Sequence, residues 1–256
     1  MSYTPKSQKV NKLSLNKDRL EVKELVKIYK GHRVVDRIDM TLRKDEIVGL
    51  LGPNGAGKTT TFYMMIGLIR PDEGRVFLDG EDISEAPMYI RARKGINYLP
   101  QEPSIFRKLT VEENLLAIME GLNIPSYEMK DRLTSLLSEL NIGHLAKQKA
   151  SSLSGGERRR LEITRALATE PRFMLLDEPF AGIDPLIIND IKQIIRRLKE
   201  RGIGIIISDH NVRDTLEVCD SAYIINKGKI IESGSPDQII NSKIARKVYL
   251  GEDFNL

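Results

Sequence analysis

The chain has 256 residues, of which 41% are hydrophobic and 30% are charged, a composition that excludes wholesale disorder and is typical of a globular protein. Its formal net charge of +4 is too small to indicate nucleic acid or an anionic membrane as a partner. The single cysteine, Cys219, excludes an intrachain disulfide, and we expect it in the core. No apolar run approaches the roughly 18 residues of a membrane span, and the polar N-terminus does not resemble a secretory signal.

The first part of the chain predicts a tail followed by antiparallel strands. Residues 1–18 lack hydrophobic periodicity, which indicates a flexible segment. From residue 19 apolar and polar residues alternate, pause at Lys30-Gly31 and resume, which predicts two strands. A further hairpin is predicted around Asp79-Gly80. Tyr29 ends the first strand, and its ring could either stack on a base or pack in the interior.

The apolar run at residues 47–51 leads into a glycine-rich loop and then a helical pattern. The loop reads Gly52-Pro53-Asn54-Gly55-Ala56-Gly57-Lys58-Thr59-Thr60. This G-x-x-x-x-G-K-T pattern between a strand and a helix predicts a P-loop. Its glycines allow backbone N–H groups to surround an anion, and the helix N-terminus adds further donors. We expect Lys58 to contact the β- and γ-phosphates of a nucleotide and the Thr59 hydroxyl to ligate Mg²⁺.

The pattern becomes helical between residues 104 and 170, which predicts an inserted α-helical subdomain. Thr110-Val111-Glu112-Glu113 predicts a capping box at one helix start, and Ser126 is expected to cap the next helix. Leu153-Ser154-Gly155-Gly156-Glu157 predicts a second capping box. Because two glycines in a first turn cost about 1 kcal/mol each relative to alanine, we interpret this bare helix start as a second anion site.

Two further apolar runs end in polar residues. The run at residues 173–176 ends in Asp177 and Glu178 and is typical of a strand in a parallel sheet, whose carboxyl end binds ligands. We expect Asp177 to hold Mg²⁺ and Glu178 to polarise an attacking water, on opposite faces of the strand. Asp184-Pro185 begins an amphipathic helix. The run at 203–207 precedes His210, for which a structural and a catalytic role both stay open.

With the motifs at residues 52–60, 153–157 and 175–184 in this order, the chain resembles the ATP-binding subunits of ABC transporters from about residue 20 onward. The resemblance implies an α/β fold of the ABC ATPase type. In it, a P-loop NTPase core, with a mostly parallel sheet flanked by helices, carries an antiparallel β layer and the inserted helical subdomain. One domain would then cover residues 19–256, with closing helices from about 236. It also implies a head-to-tail homodimer in which ATP and Mg²⁺ lie between one subunit's P-loop and the other's signature helix.

The resemblance assigns roles to individual residues. The matches are Tyr29 to the adenine-stacking aromatic, Gln101 to the Q-loop glutamine, Glu178 to the general base, Asp184 to the D-loop aspartate and His210 to the switch histidine. The expected catalytic residues are therefore Lys58, Gln101, Glu178 and His210, and the expected magnesium ligands are Thr59, Gln101 and Asp177. The expected nucleotide-binding residues are Tyr29, Gly52, Pro53, Asn54, Gly55, Ala56, Gly57, Lys58, Thr59, Thr60, Ser154, Gly155, Gly156 and Asp184.

Segments 95–109, 209–213 and 249–254 are most similar, within this family, to ATPases of lipopolysaccharide exporters. That similarity implies that Phe106 and Arg107 line a groove for two transmembrane subunits, on the cytoplasmic face of the inner membrane. The alternatives are the ATPase of a branched-chain amino-acid importer and a soluble ABC-type ATPase acting on DNA or ribosomes. The sequence has neither the sustained heptads of a coiled-coil insert nor a second P-loop, and no nucleic-acid partner is expected. The run Arg158-Arg159-Arg160 is interpreted as positive surface near the nucleotide, or as a solvated helix face.

Overall fold

The computed structural model describes residues 18–251 and Phe254, so the predicted tail lies, apart from Asp18, outside the described residues. The strands are β1 (Arg19–Tyr29), β2 (His32–Arg43), β3 (Ile47–Leu51), β4 (Glu73–Leu78), β5 (Glu81–Asp82), β6 (Ile96–Leu99), β7 (Phe173–Asp177), β8 (Gly204–Ser208), β9 (Ser221–Asn226) and β10 (Lys229–Gly234). The helices are α1 (Lys58–Ile66), α2 (Met88–Arg93), α3 (Val111–Gly121), α4 (Ser126–Glu139), α5 (Gly155–Leu167), α6 (Pro185–Glu200), α7 (Val212–Val218), α8 (Pro236–Asn241) and α9 (Lys243–Ala245).

The smaller sheet is antiparallel, with the strand order β2-β1-β4-β5. Its alternating sequence buries one face, and Leu20, Val22 and Leu25 of β1 are almost fully buried. The turn between β1 and β2 contains Lys30 and Gly31, both at positive φ. The predicted antiparallel layer and the hairpin between β4 and β5 are confirmed.

The larger sheet has the order β10-β9-β3-β8-β7-β6. Strands β9, β3, β8, β7 and β6 run parallel, and β10 pairs antiparallel to β9. Every residue of β3, β7 and β8 is buried, which explains why these strands read as continuous apolar runs. Because their carboxyl ends share one edge, the segments that follow them meet there. The predicted α/β fold, with a mostly parallel sheet, an antiparallel layer and flanking helices, is confirmed.

The helical segment packs against the larger sheet. Buried residues of α3, α4 and α5 share one apolar cluster with α6, β7 and β8. The capping box of Thr110 and Glu113 is present at α3. The cap predicted at Ser126 is wrong, since Pro125 is the N-cap, Ser126 is the first helical residue, and no side-chain cap bond forms. The division of residues 104–170 into a separate subdomain stays a prediction.

The C-terminal part covers the edge of the larger sheet that holds β9 and β10. A capping box of Ser235 and Gln238 begins α8. Helix α9 continues into a π-helical turn at Arg246–Leu250. Cys219 is 8% exposed, which confirms its predicted place in the core. Over residues 18–251 and Phe254, no helix has both the length and the apolar character that a membrane span requires.

Candidate functional site

The glycine-rich loop between β3 and α1 is shaped by close backbone contacts. Gly52 has φ of +153° and Gly57 has φ of +111°. A Cβ atom added to Gly52 would lie 2.1 Å from the carbonyl oxygen of Ile225, and one added to Gly57 would lie 2.6 Å from that of Val34. Only glycine therefore fits at both positions. By contrast, no neighbour lies within 4 Å of the corresponding atom on Gly55, so the outer side of the loop is open to a ligand.

Lys58 is folded back over this loop. Its Nζ donates to the carbonyl oxygens of Gly52, at 2.7 Å, and Pro53, at 3.1 Å. Because an ammonium group carries three protons, one donor is left for a phosphate. Burial lowers the pKa of Lys58, while the carboxylates of Glu178 and Asp177 oppose this change. Lys58 therefore lies between the glycine-rich loop and the two carboxylates, with one N–H left for a phosphate.

Asp177 ends β7 and is 4% exposed. Burial raises the pKa of this carboxyl, and a hydrogen bond from the Tyr98 hydroxyl, at 3.1 Å, partly offsets the increase. Ser208 pairs with Asp177 across the sheet, and a hydrogen bond from its buried side chain also lowers the pKa of the carboxyl. Asp177 is therefore a buried carboxylate held by hydroxyl groups from the two neighbouring strands.

Glu178 lies outside the strand. Its φ is +46°, and its N–H donates to the carbonyl oxygen of Ser208 at 2.6 Å. Glu178 therefore follows the end of β7 in a left-handed backbone conformation, and the alternation of side chains along a strand does not apply to it. Its Oε2 accepts a hydrogen bond from Nε2 of Gln101 at 2.8 Å and lies 3.3 Å from Nδ1 of His210. The fold thus brings three of the predicted catalytic side chains into one cluster.

Asp209 was not predicted as a site residue, although it lies between a buried strand and His210. It is 0% exposed. One carboxylate oxygen accepts from the N–H of Phe180 at 3.0 Å, and the other accepts from that of Asn211 at 2.8 Å. Burial raises its pKa, which these two hydrogen bonds oppose. Asp209 therefore ties the loop after Glu178 to the turn that carries His210. The available signal was an acidic residue directly after a predicted buried strand.

The signature helix α5 has a side-chain cap, and its first turn contains two glycines whose surroundings differ. Ser154 caps it, and Glu157 completes a capping box. A Cβ atom on Gly156 would lie 2.5 Å from Cγ2 of Ile187, whereas on Gly155 the nearest atom would be 3.6 Å away. Packing against α6 therefore explains Gly156 without any ligand, which corrects the argument from two bare glycines. Anion binding at Gly155 stays a prediction.

The arginine run after the signature glycines is not a uniform positive surface. Arg159 is 6% exposed, pairs with Glu162 at 3.0 Å and donates to the carbonyl oxygen of Pro100 at 3.3 Å. Burial lowers the pKa of its guanidinium. Arg160 pairs with Asp190 at 2.6 Å. The predicted surface role is therefore wrong for Arg159, which instead supports the segment leading to Gln101.

The remaining predicted residues lie apart from the central cluster. Tyr29 is 46% exposed, and Nζ of Lys27 is 5.6 Å from its ring centre. Asp184 caps α6 by accepting from the N–H of Leu186 at 2.9 Å. Phe106 is 47% exposed, and the guanidinium of Arg165 lies 4.7 Å from its ring centre. Arg107 is also exposed. Within residues 18–251, neither Ser154 nor Asp184 forms a hydrogen bond with the P-loop.

The described residues contain no group of three or more His, Cys, Asp or Glu side chains placed to hold a metal ion. Mg²⁺ seldom needs such a group, because it is usually bound by one or two carboxylates together with substrate phosphates and water. Asp177 supplies a buried carboxylate, and Thr59 supplies an exposed hydroxyl at the start of α1. These residues fit a magnesium ion that arrives with a nucleotide.

The chain is similar to ATP-binding proteins of transporters. Residues 35–181 match the ABC transporter family. The chain is 54% identical, over 93% of its length and 99% of the relative, to the lipopolysaccharide export system ATP-binding protein LptB of Haemophilus influenzae. It is 53% identical, with the same coverage, to the protein of that name in Escherichia coli K12. A crystal structure of an ATP-binding cassette of an ABC transporter in its ADP conformation superimposes with a TM-score of 0.82 at 29% identity, covering 92% of this chain and 99% of that one.

Proposed function

This chain belongs to the ABC transporter family and is an ATPase of that family, and from that premise we propose that it powers the export of lipopolysaccharide. The observation that carries the proposal is the identity of 54% over 93% of the chain to a protein named for that export system. The protein would act as a homodimer on the cytoplasmic face of the inner membrane. Two transmembrane subunits would contact it near Phe106 and Arg107, which are both exposed.

The cluster at the carboxyl ends of β7 and β8 supports a general-base role for Glu178. Gln101 and His210 both lie within 3.3 Å of its Oε2, so the carboxylate is held by two side chains from separate loops. In this mechanism Glu178 accepts a proton from the attacking water, a contribution of about 10²–10⁴-fold to the rate. His210 and Lys58 would lie around the γ-phosphate, where positive charge and hydrogen-bond donors stabilise the developing charge.

Magnesium, when bound, neutralises phosphate charge and orients the phosphate oxygens. Thr59, Asp177 and Gln101 are the residues that would hold it. Tyr29 would stack on the adenine, since its ring is half exposed. Gly155, Ser154 and the D-loop residue Asp184 would complete the site from the opposite subunit. The exposed capped start of α5 supports this assignment, because unpaired N–H groups at a helix start attract phosphate.

The substitution Glu178→Gln tests the chemistry. The amide cannot accept the proton from water but is close to the carboxylate in size. The variant should bind ATP, hydrolyse it at no more than about a hundredth of the wild-type rate, and accumulate as an ATP-bound dimer in size-exclusion chromatography. Wild-type turnover in this variant would refute the assignment of the base, although membership of the family would stand.

Purification from membranes tests the transport step. The native complex should contain transmembrane subunits and lipid-handling partners of a lipopolysaccharide exporter. The second candidate, a branched-chain amino-acid importer, is supported by similar core motifs and predicts an association with an amino-acid receptor instead. Recovery of that receptor, without exporter subunits, would overturn the export proposal.

A further inference from the structure

The hydroxyl of Ser154 is already engaged within its own helix. Its Oγ lies 2.7 Å from Oε2 of Glu157, and the same Oε2 accepts the backbone N–H of Ser154 at 2.8 Å. An ionised carboxylate has no proton to donate. The proton in the Oγ–Oε2 hydrogen bond therefore belongs to Ser154, and it points at Glu157 rather than toward a ligand.

The hydroxyl–carboxylate contact is not required for a capping box. Two other boxes, Thr110 with Glu113 and Ser235 with Gln238, also begin helices. In them the cap N–H donates to the side chain at 2.7 and 2.8 Å, and the hydroxyl accepts an N–H at 3.2 and 3.3 Å. The Thr110 hydroxyl also hydrogen-bonds to Glu113 and lowers the pKa of that carboxyl, whereas in the described box of Ser235 and Gln238 the hydroxyl does not hydrogen-bond to the amide side chain. The hydroxyl–carboxylate bond therefore depends on a glutamate at the third helical position, and the capping box itself forms without it when glutamine stands there.

The surroundings of Glu157 keep it charged. Its hydrogen bonds from the hydroxyl and N–H of Ser154 lower the pKa of the carboxyl, and the nearby His144 and Arg160 lower it further. Arg160 is itself paired with Asp190, so it does not fully neutralise Glu157. Glu157 thus combines a strong acceptor with a negative charge at the open start of α5, beside Gly155.

We propose that Glu157 competes with the γ-phosphate of ATP for the hydroxyl proton of Ser154 and so weakens closure of the ATP-bound dimer. The inference rests on the proposed function, in which the start of α5 meets nucleotide held by the other subunit. On closure, the hydroxyl must exchange one anionic acceptor for another, and the retained carboxylate faces the incoming phosphate. Glu157 is thus a positioning residue that sets how much ATP is needed to close the dimer.

The test is Glu157→Gln in the hydrolysis-deficient Glu178→Gln full-length chain. Glutamine preserves the cap, as the box of Ser235 and Gln238 demonstrates, but it removes the charge and is a weaker acceptor. We expect half-maximal dimer formation at about tenfold lower ATP, equivalent to about 1.4 kcal/mol, with a nearly unchanged melting temperature. An unchanged or higher ATP midpoint would overturn the inference.

Two controls separate this effect from general changes in helix capping or charge. Glu113→Gln alters the box at α3 in the same way, and it should leave the ATP midpoint unchanged. With Ser154→Ala also present, the effect of Glu157→Gln should fall to less than half on a logarithmic scale, because no hydroxyl proton remains to be released. An undiminished effect would refute competition for that proton. If Glu178→Gln alone forms no ATP-dependent dimer, the proposed dimeric site fails instead.

Discussion

The substitution Asp209→Asn should lower both the stability and the turnover of the enzyme. The carboxylate accepts the N–H groups of Phe180 and Asn211, one on each oxygen. Asparagine has only one acceptor oxygen, so its NH₂ group must face the other N–H. Loss of one hydrogen bond to a charged group costs about 1.5–3 kcal/mol. For a chain of this size, that corresponds to a decrease in Tm of about 3–12 °C.

The effect on turnover follows from the position of His210 beside Asp209. The altered turn should displace His210 from Glu178, and a shift of about 1 Å can reduce a rate by about 10². We expect kcat to decrease at least tenfold with little change in the KM for ATP. Thermal unfolding and steady-state ATPase assays on the purified protein measure the two effects separately.

Asp220→Asn is the matched control for Asp209→Asn. Asp220 also accepts a backbone N–H, that of Ile47 at 2.8 Å, but it lies at the amino-terminal end of β3, on the opposite edge of the sheet from the site. It should lower Tm by a similar amount and leave kcat unchanged. If Asp209→Asn lowers Tm but retains wild-type kcat, or if both variants lose kcat equally, Asp209 does not position His210.

Three further predictions concern nucleotide binding. Gly57→Ala should abolish ATP binding in a fluorescence titration, because the new methyl group would lie 2.6 Å from the carbonyl oxygen of Val34, whereas Gly121→Ala, with no neighbour within 4 Å, should bind ATP normally. Tyr29→Ala should raise the KM for ATP about tenfold through lost stacking, and Tyr29→Phe should restore it; an unchanged KM in the alanine variant would exclude stacking. Burial lowers the pKa of Lys58 below its ordinary 10.5, so rising pH neutralises this amine early and should weaken ATP binding, while Lys58→Arg should not show this alkaline loss.

The parts of the fold that sequence reasoning predicted share a strong local signal. Strands β3, β7 and β8 are buried on both faces, so their apolar runs could be read directly. The caps at α3, α5 and α6 also agree with their sequence patterns. By contrast, neither β6 nor α2 was predicted as an element. In β6 only Ile96 and Leu99 are fully buried, so its pairing with β7 decides its structure.

Long-range contacts limited the prediction of the site. The motif at residues 52–60 follows from local spacing, but the burial of Arg159 depends on Pro100, 59 positions away. Gly156 illustrates the same limit, since the reason for this glycine is the side chain of Ile187 on another helix. The low helix propensity of glycine indicates that something else favours it at this position. It does not indicate whether that is a bound ligand or the side chain of a neighbouring helix. The role of Asp209 likewise depends on Phe180, which is distant in sequence.

Two side chains that are expected to act near the γ-phosphate, those of Glu178 and Ser154, already form hydrogen bonds within their own subunit. Glu178 accepts from Gln101 and lies against His210, while the Ser154 hydroxyl donates to Glu157. Catalysis in the proposed dimer therefore requires more than bringing two surfaces together, because water must reach Glu178 and Ser154 must change its acceptor. Gln101 lies five residues before the exposed Phe106. In the proposed function, a membrane partner that displaces this segment would change the hydrogen bonding of Glu178, and transport would control hydrolysis in this way.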